Sequence, residues 1–186
     1  MKNTSVGMTR LNFDNIPTVE LSKPYTLRTY QPGDEKAWLA IHVQADPFNT
    51  FNEESFVKGF GRDEQLWREN QFYVCDENNQ PIGTATAWSV QKDEHPTPQG
   101  LVHWVALSPH AQGKGLSKPL MSAVCHRLRD RGFERAYLST SSGRLPAVAL
   151  YLAFGFMPYI RKPEERATWT HIKKQLGPRA IGLEYF

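Results

Sequence analysis

The sequence predicts an α/β fold of the mixed α+β kind, with a mostly antiparallel central sheet of six to seven strands flanked by helices. Three observations carry that expectation. Apolar or alternating runs recur at 25–30, 71–75, 82–90, 101–108, 135–140 and 156–161, bounded by turn residues. Apolar residues at helical spacing lie between several of them, as at Leu116, Leu120, Val124 and Leu128. A polar turn, Asp76 to Pro81, joins the second and third runs as a hairpin. At 186 residues the chain is long enough for one full core, here residues 25–186, behind an N-terminal extension of residues 1–24.

The extension has no sustained period and contains Asn, Asp, Pro and Ser, so it reads as surface or disordered chain. Tyr25 to Tyr30 alternates as a strand, and Gln31-Pro32-Gly33-Asp34 is a turn. Asp34 is placed to cap a helix from Glu35 to about Gln44 that stacks Trp38, Ile41 and His42 on one face. The segment 46–70 is rich in aromatics: Phe48, Phe51, Phe56, Phe60 and Trp67. Asn49 or Asn52 is suited to cap a helix with Phe56 and Phe60, and Asp63 a short one with Trp67. After the hairpin, Gln91 to Gly100 reads as a loop, and Leu101 to Ser108 as a strand ended by Pro109. A helix then runs to about Arg131, with Gly132 at its C-cap, and Arg135 to Thr140 is a strand. Pro146 opens a helix that reaches Phe154, Gly155 breaks it, and Phe156 to Arg161 is a further strand. Glu164 to Leu176 is helical, and Ala180 to Phe186 is a last strand or a loose tail.

Composition narrows the function. Hydrophobic residues make up 40% of the chain and charged ones 22%, ordinary values for a soluble domain. The net charge of +3 suits an anionic small molecule, and no block of Arg and Lys points to nucleic acid. The two cysteines, Cys75 and Cys125, make no metal spacing and no disulfide framework, and the histidines form no cluster, so no metal is expected. The N-terminus lacks the apolar stretch of a signal peptide and no run is long enough to span a membrane, which makes a cytoplasmic protein the expectation.

The most informative stretch is Gln112-Gly113-Lys114-Gly115-Leu116-Ser117, between a strand and a helix. Glycines let the backbone turn tightly and let a ligand come close. A helix start leaves N–H groups unpaired, and together with the helix dipole these suit a phosphate or pyrophosphate. Lys114 and Lys118 add mobile positive charge. The stretch is neither a dinucleotide fingerprint, since position 118 is Lys, nor a P-loop.

Gln112, Gly115 and Ser117 match the pattern Gln/Arg-x-x-Gly-x-Gly/Ala, with Ser at the last small position. Ala147, Tyr151, Gly155 and Phe156 match a second, Ala-x-x-x-Tyr-x-x-x-Gly-Phe. In this order, one helix and one strand apart, they resemble the GCN5-related N-acetyltransferases, over roughly Tyr25 to Pro158. The resemblance implies acetyl-coenzyme A as co-substrate, its pyrophosphate on Gln112, Gly113, Lys114, Gly115, Leu116, Ser117 and Lys118. It implies a pantetheine arm along the strand at Val105, Ala106 and Leu107, whose N–H groups include one that polarises the thioester carbonyl. Tyr151 holds the family's general-acid position. His103 lies where one branch, the arylalkylamine N-acetyltransferases, has a histidine that helps deprotonate the amine, and strand alternation puts it on one face with Val105 and Leu107. Many members carry Asn against the pantetheine where this chain has Arg144, a side chain able to reach a phosphate or an acidic group on the acceptor.

The implied reaction is direct attack by a small-molecule or peptide amine on the acetyl group. The alternatives are a coenzyme A-binding module without catalysis, or an acyltransferase that uses a longer donor. The segment 46–70 would wall the acceptor pocket, although the same aromatics read equally as core. The resemblance also leaves room for a homodimer, since C-terminal segments in the family often join a partner copy.

Overall fold

The computed structural model describes residues 3–91, 95–184 and 186. Side-chain alternation along each strand sorts the apolar residues between clusters. In β3 (Gln71–Cys75), Val74 joins a large cluster while Tyr73 and Cys75 join a smaller aromatic one, so the two lie on opposite faces of the sheet there. The other strands are β1 (Ser5–Arg10), β2 (Thr26–Thr29), β4 (Pro81–Val90), β5 (Gln99–Leu107), β6 (Ala136–Ser141) and β7 (Met157–Tyr159). They form a seven-stranded sheet in the order β2-β3-β4-β5-β6-β1-β7. Every neighbouring pair is antiparallel except β5 and β6, which run parallel across an intervening helix.

Six α-helices cover the sheet: α1 (Asp34–Ala45), α2 (Glu54–Phe60), α3 (Glu64–Asn70), α4 (Ser117–Asp130), α5 (Leu145–Ala153) and α6 (Glu165–Leu176). Helix α4 buries Leu120, Val124 and Leu128 in the large cluster, beside Ala85, Ala87 and Val102 of the sheet. It ends as the sequence predicts: Gly132 takes φ 79°, and the Phe133 and Gly132 N–H groups return to the carbonyls of Leu128 and Arg129 at 3.3 and 2.8 Å. The aromatic cluster holds Trp38 of α1, Phe56 and Phe60 of α2, and Tyr30 and Tyr73, with Trp67, Trp88 and Trp104 against them.

Several expectations are corrected. Residues 1–24 are not a surface extension throughout, because β1 is an inner strand paired to β6 on one side and β7 on the other. Val6 and Met8 are buried in the large cluster, and between them Gly7 faces the Tyr137 ring so closely that a Cβ would stand 2.9 Å from its hydroxyl. A short run with a central glycine carries little strand signal, which is why the sequence does not announce it. Arg10, at its end, is buried and donates to the carbonyls of Asn12, Asp14 and Phe154, the last being the C-cap of α5. The N-terminal strand is thereby tied to the helix that bears Tyr151.

Asp34 does not cap α1: Gly33 holds that position, and the Asp34 carboxylate pairs with Arg28 at 2.6 Å and accepts from the Gln31 N–H at 2.7 Å. Asp63 does cap α3, accepting from the N–H groups of Gln65 and Leu66 at 3.0 and 3.3 Å. Before α2, the Asn52 side chain accepts from the Glu54 N–H at 3.1 Å. Strand β5 begins at Gln99, two residues inside the expected 91–100 loop, of which residues 92–94 lie outside the described residues. The chain end is neither strand nor loose: a short 3₁₀ turn, Gly177–Arg179, leads to Leu183, which is buried, and Phe186 lies against Trp169.

Because Met8 is fully buried in β1, Met8→Ala should cost about 2–5 kcal/mol of unfolding free energy, read by urea denaturation. A loss within a few tenths of a kcal/mol would mean that β1 adds nothing to the core.

Candidate active site

The site is built around an irregularity in β5. Thr84 of β4 faces Ala106, and Thr86 faces His103, so that Ala85 alone stands opposite both Trp104 and Val105. The extra residue makes a β-bulge, with Trp104 at φ 49°, a conformation that a bulky side chain adopts only under constraint from its surroundings. The bulge reverses the phase of the strand. His103 and Trp104 both turn to the aromatic cluster: their rings lie 5.3 Å apart, His103 lies 5.5 Å from Phe60, and Trp104 lies 5.7 Å from Trp38. Val105 and Leu107 pack instead on the large cluster that contains Tyr151. The expected shared face for His103, Val105 and Leu107 is therefore corrected, since period-two alternation fails wherever a residue is inserted.

Strands β5 and β6 also part company. They pair only at Gly100 with Ala136 and at Leu101 with Tyr137, although β5 continues to Leu107. On its β4 side β5 is paired out to Leu107. The edge of Val102 to Leu107 that looks toward β6 thus offers backbone N–H and C=O groups to whatever enters the opening.

At the end of β5 the chain passes through a short 3₁₀ turn, Pro109–Ala111, into the glycine turn. Gly113 and Gly115 take φ 76° and 78°, with open space where side chains would stand. Among the described residues, none accepts a hydrogen bond from the N–H groups of Gly113 to Ser117. These amides, at the start of α4, fit a pyrophosphate. Lys114 and Lys118 are exposed, with the Lys114 ammonium 5.9 Å from the Tyr25 ring centroid. Gln112 and Leu116 hold the turn: the Nε2 of the exposed Gln112 donates to the Leu107 carbonyl at 3.1 Å, and Leu116 is buried.

Tyr151 is 6% exposed, beside Phe156 in the large cluster, and its hydroxyl has no protein partner among the described residues. Burial pushes the phenol up to about 12, and the Arg144 charge opposes that rise. Arg144 itself is not drawn toward the glycine turn. Its guanidinium pairs with Asp46, the C-cap residue of α1, and lies 5.0 Å over the Phe48 ring. Its contacts within the protein are with the end of α1 and the chain just after it.

Burial also takes His103 down to about 4, with the Gly59 carbonyl opposing and His42 adding to the fall. At neutral pH it is a neutral imidazole, able to accept a hydrogen bond but a weak base. His42, which the sequence marks only as part of a helix stripe, is a second buried imidazole in the same cluster. Its Nδ1–H donates to the Trp38 carbonyl at 2.9 Å, and burial takes it to about 4 as well, with the Trp38 and Trp104 carbonyls opposing the fall. Trp104 is a further residue that the sequence did not bring to the site, and it named no partner for Asp46. Pairings such as Asp46 with Arg144, 98 positions apart, leave no local signal.

The sequence model of the Acetyltransferase (GNAT) family matches residues 37–156, more than half of the chain. The chain belongs to this family. A mycothiol acetyltransferase from Thermomonospora curvata is 31% identical over 147 residues, which cover 77% of this chain and 48% of that protein. The chain thus spans about half the length of the curated relatives it matches. A crystal structure of a GCN5-related N-acetyltransferase from Sphaerobacter thermophilus superposes with a TM-score of 0.68 at 19% identity, covering 84% of this chain and 48% of that one. The NatC complex bound to Gag peptide and CoA contains a chain with a TM-score of 0.62 at 15% identity, covering 73% of this chain and 86% of that one. Gln112 to Lys118, Val105 to Leu107 and Tyr151 all fall inside the GNAT match, as do His103 and Arg144. Asp46 and the aromatics of α2 lie within it too.

The buried histidines make stability depend on pH. Their folded values, about 4, lie below the unfolded value of about 6.5, so the unfolded chain takes up protons first as pH falls. Their contribution is full above about pH 6.5 and is lost toward pH 4, at up to about 1.4 kcal/mol per pH unit for each histidine. His42→Gln and His103→Gln should each flatten that slope in urea denaturation between these limits. An identical slope in wild type and both variants would show that neither histidine is held neutral.

Proposed function

We propose that this chain carries an N-acetyltransferase site that moves an acetyl group from acetyl-coenzyme A to a primary amine by direct attack. The observation that carries the reading is the opening between β5 and β6 beyond Leu101, with the free amides of Gly113 to Ser117 at the end of β5. The anionic end of the donor suits the turn and its lysines, and the peptide-like arm suits the unpaired edge at Val105 to Leu107. When bound, the donor supplies a thioester whose acyl carbon the amine attacks, forming a C–N bond as the C–S bond breaks.

The chain's own groups then have separate tasks. A backbone N–H of the free β5 edge polarises the acyl oxygen. The apolar cluster around His103 and Trp104 disfavours an ammonium, so the amine is held as the free base. His103, neutral at working pH, accepts a hydrogen bond from the amine N–H and directs its proton toward water. Tyr151 keeps its proton at any working pH and gives a hydrogen bond to the departing sulfur. Burial raises the pKa of a thiolate as it raises that of a phenol, so the two remain matched for proton donation as the C–S bond opens.

Calorimetric titration with acetyl-coenzyme A tests the donor site. Wild type should bind with a micromolar Kd, and Gly115→Asp, which sets a carboxylate among the amides, should abolish binding. No binding to wild type would remove the functional reading. For the chemistry, Tyr151→Phe should lower kcat at least several-fold while leaving the Kd for acetyl-coenzyme A unchanged, and an unaltered kcat would take the acid role from Tyr151.

A further inference from the structure

Arg144 stands at the N-cap of α5, immediately after β6, with its side chain 29% exposed. Its guanidinium carbon lies 5.0 Å from the centroid of the Phe48 ring, a cation–π distance. The carboxylate of Asp46 is well supplied with donors: besides Arg144 it accepts from the Phe48 N–H at 2.9 Å and from Asn49 Nδ2 at 2.7 Å. The supply in the other direction is sparse. A guanidinium carries five N–H donors, and the contact to Asp46 Oδ1 is the only side-chain hydrogen bond that Arg144 makes among the described residues.

The surroundings say what the remaining donors could meet. Arg144 caps the helix that bears Tyr151, and its partner Asp46 caps the end of the helix that bears His42, so the ion pair joins the ends of these two helices. The imidazoles of the aromatic cluster are neutral at working pH, and the rings around them include Trp38, Phe51, Phe60 and Trp104. A partly exposed fork with unspent donors, beside imidazoles that are neutral at working pH, matches the planar geometry of a carboxylate. A point cation such as lysine would not have that directional match.

We propose that Arg144 is a specificity-determining residue that binds a carboxylate on the acceptor, which makes amines that also carry a carboxylate, amino acids among them, the acceptor class of this site. The inference rests on the acetyl-transfer reading above and names the acceptor for it. Asp46 then holds the fork in place while unspent N–H groups receive the second carboxylate.

The test uses the full chain saturated with coenzyme A, titrated calorimetrically with matched pairs at equal free-base concentration. The pairs are glycine and glycinamide, β-alanine and β-alaninamide, L-leucine and L-leucinamide, and L-phenylalanine and L-phenylalaninamide. Acetylation of each is measured in parallel with acetyl-coenzyme A. In wild type at least one acid should bind tenfold or more tightly than its amide, with the same ordering in kcat/KM. Arg144→Gln should bring that ratio to about 1 without changing coenzyme A affinity, and Arg144→Lys should recover only part of it. Asp46→Asn should keep or increase the preference, because it frees a further donor. The double variant Asp46→Asn with Arg144→Gln leaves no unpaired buried charge, so it reports the lost preference if the single variant fails to fold.

Equal binding of acid and amide in every pair, no binding by any acid, or a preference that survives loss of Arg144 would each overturn the proposal. These outcomes are separate from failure of the acetyl-transfer reading, which would appear as absent acetyl-coenzyme A binding. Amides acetylated as well as acids would sink the acceptor assignment alone.

Discussion

One inserted residue in β5 governs the geometry of the site. Without the bulge at Trp104, alternation would carry the strand straight through, and His103 would share a face with Val105 and Leu107. With it, the strand supplies two neighbouring side chains to the aromatic face and then gives the next positions to the core that contains Tyr151. A positive φ at tryptophan costs free energy, on the order of 1–3 kcal/mol. The dense ring packing against Trp38, His42 and Phe51 offsets that cost, because each contact is made only with the indole turned this way. The parting of β5 from β6 lies just beyond the last paired residues, Leu101 and Tyr137, so irregular twist and open edge occur in the same stretch.

Electrostatics divides the site into a charged end and a neutral end. At the glycine turn the positive features are backbone amides, a helix start and exposed lysines, none of which needs a protonation change to hold an anion. Away from the turn burial does the opposite, holding His42 and His103 at the aromatic cluster neutral by lowering them and Tyr151 in the large cluster neutral by raising it. Amine attack on a thioester needs a neutral nucleophile, and an environment that disfavours isolated charge selects that form. Arg144 with Asp46 is the ion pair at the edge of this region, and it is compensated within the protein.

The rest of the sheet serves to hold these parts in register. β1 enters between β6 and β7, which ties the two strands that flank α5 and so steadies the helix that bears Tyr151. Arg10 adds to this by spanning from the end of β1 to the C-cap of α5, where a cation faces the negative end of a helix. On the other side, β2 to β4 and α1 to α3 make the aromatic cluster, a second structural core. Of the aromatics in 46–70, Phe56 and Phe60 are buried, as the core reading has it, whereas Phe48 is exposed.

Much of this was legible in the chain. Glycines at 113 and 115 are required by left-handed backbone angles, the period of Leu116 to Leu128 is the buried stripe of α4, and Gly132 closes that helix. Such features are local, set by the steric limits of a few neighbouring residues, and sequence displays them directly. β1 was hidden because a strand's place in a sheet depends on partners far along the chain, here Ser139 and Tyr159 on either side of Gly7. The bulge was hidden because an inserted residue in β5 is defined only against β4. Arg144 was legible as a departure from a family pattern, but its partner Asp46 was not, since nothing in residues 46–48 names a guanidinium nearly a hundred positions away. By itself the sequence determined most of the elements, the glycine turn before α4 and the tyrosine on α5. Only the tertiary structure decided which faces they share and which groups lose their charge, because burial and pairing are properties of neighbours in space.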